Sequence, residues 1–188
     1  MFTHKRYNAL RQASSIVTYK SMENYQRFFV DTIPYLRRYA RAYTGDIVSG
    51  DTLVRRTIEC AHSLVNFLQD DTDIAIWLFS ILHNITVEER KELQNHEDAD
   101  VLDIDTSDMA LLEDVDPEEI DIVTALAHLP PEQKETFLLV SLERFTYEEA
   151  SQILNVPVGT LILRLNSARK FLIKRLLADD FAELRAAQ

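Results

Sequence analysis

Residues 145–170 read FTYEEASQILNVPVGTLILRLNSARK. Thr146 followed by Glu149 is the Ser/Thr-x-x-Glu pattern in which a hydroxyl and a carboxylate cap a helix start reciprocally, and it opens a short helical pattern over residues 147–154. Asn155, Val156 and Pro157 interrupt that pattern. A longer one then runs from 158 to 184, with Val158, Gly159 and Thr160 in its first turn. At about 100° per residue, Leu161, Leu165, Ala168 and Leu172 fall on one face and must pack inward. Leu163 and Lys170 then point away from that face, with Ile162 on its flank. Ala150 is small enough for two helices to cross closely, so the stretch reads as a helix-turn-helix.

Working outward, helical patterns over residues 117–129 and 131–143 precede it, separated by Pro130 and Pro131, proline being favoured at helix starts. Further upstream, Phe28, Phe29, Ile33, Leu36, Tyr39, Ala40 and Tyr43 recur at helical spacing over residues 22–43. Pro34 there marks a break or a helix start, and Thr44-Gly45-Asp46 is a stop. A second pattern, residues 49–69, keeps Leu53, Ile58, Ala61, Leu64, Val65 and Leu68 on one side, and Asp70-Asp71-Thr72-Asp73 supplies the next stop and N-cap. Residues 73–93 are apolar nearly all round through IAIWLFSIL, which predicts the central helix of a bundle with Trp77 and Phe79 in its core. There is no strand alternation and no repeat. The fold expected is all-α, with two small helical domains over residues 22–94 and 117–188, an extension over 1–21 and a connector over 95–116.

The connector dominates the charge. Of the chain's formal net charge of −11, the 95–121 segment carries twelve Asp or Glu and no Lys or Arg, so the remainder is close to neutral and the acidity belongs to one stretch. Its scattered apolar residues, among them Val101, Leu102 and Leu112, predict a mobile linker that docks part of itself on a domain. Cys60 is the only cysteine and reads as a reduced, buried side chain. No apolar run of about 18 residues exists and the N-terminus has no signal-peptide core, so a cytoplasmic protein without a membrane partner is expected. The Asp103–Asp108 run lacks the glycine and distal glutamate of a calcium loop. The five histidines show no ligand spacing, and no serine or cysteine stands in a nucleophile motif. The expectation is a non-enzyme with no metal and no cofactor.

Leu129-Pro130-Pro131-Glu132-Gln133-Lys134-Glu135-Thr136-Phe137-Leu138-Leu139, followed by the 145–160 segment, closely resembles region 4 of extracytoplasmic-function (ECF) sigma factors. Residues 35–42 (YLRRYARA), 51–54 (DTLV) and 77–84 (WLFSILHN) resemble region 2 of the same family. That resemblance implies that the first domain engages the polymerase clamp and the downstream promoter element, while the second reads the upstream element in the major groove. The chain departs from the family pattern at both surfaces. Arg55 and Arg56 stand where the clamp-binding helix carries acids, Thr52 replaces another acid, and Ile162 and Leu163 stand where the family has polar residues. A leucine aimed at DNA offers at best a contact to a thymine methyl, whereas an exposed apolar patch suits a protein interface.

Residues 37–45 (RRYARAYTG), 49–51 (SGD) and 54–59 (VRRTIE) also look like the sigma-like half of PhyR-type general-stress regulators, which imitate a sigma factor to capture its anti-sigma factor. They normally carry a receiver domain; none is expected within these 188 residues, either because it was cut away or because this relative never had one. Two functions therefore stay open. The leading one is a sigma mimic that clamps an amphipathic helix of an anti-sigma factor, with Arg55 and Arg56 on the first domain and Ile162, Leu163 and Ser167 on the second as contacts. The alternative is a genuine ECF sigma factor that binds core RNA polymerase and reads promoter DNA with Thr160, Leu163, Arg164, Ser167 and Lys170. The cations Arg164, Arg169, Lys170, Lys174 and Arg175, with no acid among residues 160–175, suit phosphates, an acidic partner or plain solvation of an amphipathic helix.

Overall fold

The computed structural model describes the backbone of residues 22–65, 68, 72–97 and 122–186, and side chains over 28–65, 68, 72–93 and 122–176. The expectations for the 1–21 extension, the 98–121 part of the connector and the helix start at Pro117 lie outside the described residues.

Among the described residues the α-helices are, in chain order, α1 (Met22–Thr44), α2 (Ile47–Leu64), α3 (Ile74–Glu97), α4 (Ile122–Ala127), α5 (Pro131–Phe137), α6 (Tyr147–Leu154) and α7 (Val158–Ala186). A π-helical turn, Leu138–Leu142, continues α5. Among the described residues there is no strand. Local chemistry sets the boundaries. Gly45, at φ +74°, turns the chain after α1, a conformation glycine adopts without steric cost. Asp46 then caps α2 by accepting from the Ser49 amide at 2.7 Å; α2 thus begins ahead of the expected position 49. Asp73 caps α3 through the Ala75 and Ile76 amides at 2.9 and 3.1 Å. Pro34 neither starts nor breaks a helix but lies within α1. The pyrrolidine forfeits one amide donor, while burial of Phe29, Leu36, Tyr39 and Ala40 on either side holds the helix together.

α1 and α2 pack antiparallel, so closely at Gly50 that a Cβ there would lie 2.8 Å from the Arg41 backbone. α3 packs on α2, on α1 and, across the molecule, on α6; α7 packs on α5, α6 and α4. α3 is central, as its all-round apolarity predicts, with Phe79 fully buried; Trp77 is half-buried, against Phe29. Cys60 is half-buried, not buried, because it sits on the flank of α2 beside the buried stripe of Leu53, Thr57 and Ala61. One continuous apolar core runs from Phe29 through Leu82 to Leu172 and joins the N-terminal helix group, α1–α3, to the C-terminal one, α4–α7. No described helix is long and apolar enough to cross a membrane.

Candidate functional site

The helix-turn-helix forms as its residues dictate. Thr146 Oγ1 accepts from the Glu149 amide at 3.3 Å while the Glu149 carboxylate accepts from the Thr146 amide at 2.7 Å, the reciprocal cap of α6. α6 ends at Asn155 in the left-handed region, φ 49° and ψ 46°, which asparagine tolerates better than most side chains. The Ser151 hydroxyl donates to Val156 O at 2.6 Å and closes the turn. α7 then buries Leu161, Leu165, Ala168 and Leu172, the four inward positions read from the sequence.

The opposite face of α7 is open. Leu163 is 69% and Ile162 37% exposed; Ser167 and Lys170 are exposed, and Thr160 and Arg164 half-buried. Thr160, Leu163, Ser167 and Lys170 follow one another at spacings of three or four, with Arg164 beside Leu163, so the structure gathers them into one stripe. Arg164, Arg169, Lys170 and Lys174 form no ion pair with any described residue. Arg55 and Arg56 lie elsewhere, exposed on α2, where Arg55 pairs with Glu59 at 3.3 Å and Arg56 with Glu89 of α3. No hydrogen bond or ion pair links them to α7 among the described residues.

A second polar cluster lies where the two helix groups meet. Glu143, fully buried just after the π-helical turn, receives a forked pair of hydrogen bonds from Arg38 of α1, Nε to Oε1 at 2.9 Å and Nη2 to Oε2 at 2.7 Å. Arg38 also donates to Leu142 O at 3.4 Å and lies over the Tyr35 ring. Burial pushes the Glu143 carboxyl above its usual range, with Arg38 pulling the other way. Glu135 of α5, 1% exposed, meets His83 Nδ1 at 3.1 Å, accepts from the Thr86 hydroxyl at 2.8 Å and has Arg90 Nη2 at 3.6 Å, all from α3. Lys134 donates to Tyr43 O at 3.1 Å, and partial burial holds its pKa down. Burial and then the Glu135 charge raise Tyr39 well above its usual range and Tyr43 to about 12. Phe145 meets Phe79 edge to face at 5.0 Å, and Phe79 in turn meets Tyr39 at 5.3 Å.

Sequence reasoning missed this cluster, although signals exist. Glu135 stands on the stripe of Leu138, Leu139 and Leu142, where a lone carboxylate demands a partner, and His83, Thr86 and Arg90 recur at spacings of three and four along α3, beside its buried Leu82 and Ile85. Among the described residues no group of His, Cys, Asp and Glu is placed to hold a metal ion.

Comparison with known proteins bears on both helix groups. Residues 29–83 match the family model of the sigma2 domain of PhyR, and residues 119–172 match sigma-70 region 4. The chain is 32% identical over 148 residues to the ECF RNA polymerase sigma factor EcfG of Rhodopseudomonas palustris, spanning 78% of this chain and 82% of that one. It is 33% identical over 130 residues to the phyllosphere-induced regulator PhyR of Methylorubrum extorquens, but spans only 42% of that longer protein. The fold matches the sigma factor RpoE of Bartonella quintana, solved with the anti-sigma factor NepR, at a TM-score of 0.65 and 24% identity over 82% of this chain and 98% of that one. It also matches PhyR of the same organism, solved with NepR, at 0.57 and 22% identity over 82% of this chain and 50% of that one. A helix-turn-helix with its inward stripe intact, a central α3 against antiparallel α1 and α2, and these two matched regions in order leave one assignment: the chain belongs to the extracytoplasmic-function sigma factor family.

Proposed function

We propose that this protein is an ECF sigma factor that brings core RNA polymerase to promoters and is held in check by an anti-sigma factor. The observation that carries the reading is the exposed surface of α7, where Arg164, Arg169, Lys170 and Lys174 have no acidic partner among the described residues. Helix-turn-helix proteins lay this helix in the major groove, and unpaired cations release counterions when they meet phosphates. Arg164 and Lys170 flank the groove-facing stripe, Thr160 and Ser167 offer hydroxyls to base edges, and Leu163 can contact a thymine methyl. The alignment with a sigma factor over most of its length supports the same reading. So does the internal pairing of Arg55 and Arg56, which leaves these arginines less available for an anti-sigma factor than the sequence suggests. NepR is found on both RpoE and PhyR, and a helical anti-sigma factor of that kind is the controlling partner we infer, with Ile162, Leu163 and Ser167 against its apolar face.

Mimicry, the leading reading from sequence, retains two supports, the apolar pair at the centre of the reading face and the likeness of residues 29–83 to the sigma2 domain of PhyR. Transcription decides between the two. Purified protein added to the host's core polymerase and a promoter of the stress class should yield specific transcripts. A chain that binds the anti-sigma factor yet yields none is a mimic.

A further inference from the structure

We infer that the two helix groups are latched to each other in the free chain by two buried carboxylates, Glu143 gripped by Arg38 and Glu135 gripped by His83, Thr86 and Arg90, so that any target requiring the groups apart must first release both. Each carboxylate comes from the C-terminal group and every side chain that satisfies it comes from α1 or α3. The latch therefore exists only when the groups are closed. Neither carboxylate reaches water, and a buried charge stripped of its partner is strongly disfavoured, so partial separation that breaks the pairs without admitting solvent is blocked. Full separation is different. It rehydrates both carboxylates and their cations, which offsets much of what the pairs contribute. That balance makes the polar part of the contact releasable, while its apolar part, with Phe145 against Phe79, adds a separate cost to opening.

The closed form leaves the Leu163 stripe of α7 exposed while covering the facing sides of α3 and α6. A partner that touches α2 and α7 together finds the two surfaces at a fixed spacing, and binding it costs no ordering of one group against the other. A target that holds the groups apart must shift the population to the open form and loses apparent affinity in proportion to the closed fraction. The latch belongs to the free chain and does not depend on which partner is the physiological one.

Pulsed electron-electron resonance on the full chain tests this, with nitroxides at His62 of α2 and Asn166 of α7, both exposed, in a Cys60→Ser background. The unaltered latch should give one narrow distance distribution. Arg38→Gln, and separately Glu135→Gln with Glu143→Gln, should each add a longer, broader population at unchanged helicity by circular dichroism. A broad distribution before any latch substitution, or variants whose distributions superimpose on the narrow one, would overturn the inference. Should the glutamate pair lose helicity, Arg38→Gln decides alone, since Arg38 is partly exposed on α1 and its loss leaves the core of each group intact.

Discussion

The two helix groups orient their helices by different means. In the N-terminal group, charges are committed internally: Arg41 grips Asp51 with bonds of 3.0 and 2.8 Å, Arg37 reaches the same carboxylate at 3.9 Å, and Arg55 and Arg56 pair with Glu59 and Glu89. The hydrogen bond from Arg41 holds the Asp51 carboxyl below its usual range. In the helix-turn-helix the same task falls to backbone chemistry, the reciprocal Thr146–Glu149 cap and the left-handed Asn155, and Arg164, Arg169, Lys170 and Lys174 of α7 have no acidic partner among the described residues. Exposure of a charge is thus not the same as its availability. The arginines of α2 look as accessible as Arg169 of α7, yet only the latter lacks an acidic partner among the described residues.

Substitutions can break this contrast in order of expected effect. Arg38→Gln, at the seam between the groups, should cost about 2–3 kcal/mol at pH 7 in urea unfolding, less than a fully buried pair because Arg38 is partly exposed. The loss is pH-dependent with a definite sign. The folded-state pKa of Glu143 is raised, so its contribution is present in acid and lost as pH rises through that value. Removing Arg38 raises the pKa further, and the gap between variant and parent should widen from pH 4 to pH 7. Next, Gly50→Ala forces a methyl against the Arg41 backbone; a net cost of about 1–2 kcal/mol is expected after the gain in helix propensity, and an unchanged or raised melting temperature would show that the α1–α2 contact yields. Thr146→Ala removes one half of the α6 cap and should cost about 1 kcal/mol, insensitive to salt, unlike the ion pairs of the other group. The smallest stability effects separate the two kinds of cation. Arg56→Ala should cost roughly 0.5 kcal/mol, and less in high salt. Lys170→Ala should leave unfolding unchanged while reducing the salt slope of promoter-DNA binding by about 1.

Much of this was legible in the sequence, and for identifiable reasons. Leu161, Leu165, Ala168 and Leu172 obey a local periodicity, and Thr146 with Glu149 is a local cap, so neither needs knowledge of the rest of the chain. Pro34 was misread because its cost is local while the packing that overrides it comes from other helices. Glu135 and Glu143 escaped notice because the residues that satisfy them, His83 and Arg38, lie 52 and 105 positions away, beyond the reach of a local pattern. The same distance hid the pairing of Arg56 with Glu89, 33 positions on, and with it the limited availability of an apparent contact residue. The candidate stripe on α7 could be placed on its helix face beforehand; its lack of an acidic neighbour among the described residues could not, because that depends on which surfaces the fold brings close.

The sequence separation across the seam also governs the order of events in time. Contacts within α1–α3, and within α6–α7, close short loops, whereas those of Glu143 with Arg38 span 105 positions and carry the larger entropic cost of loop closure. During synthesis the N-terminal group leaves the ribosome with its partner still unmade, so His83, Arg90 and Arg38 stay hydrated until the last helices emerge. The covalent tether then supplies the encounter, raising one group's effective concentration near the other to about the millimolar range. A single cut between α3 and α4 would turn that seam into a bimolecular association, dependent on dilution in a way the intact chain is not.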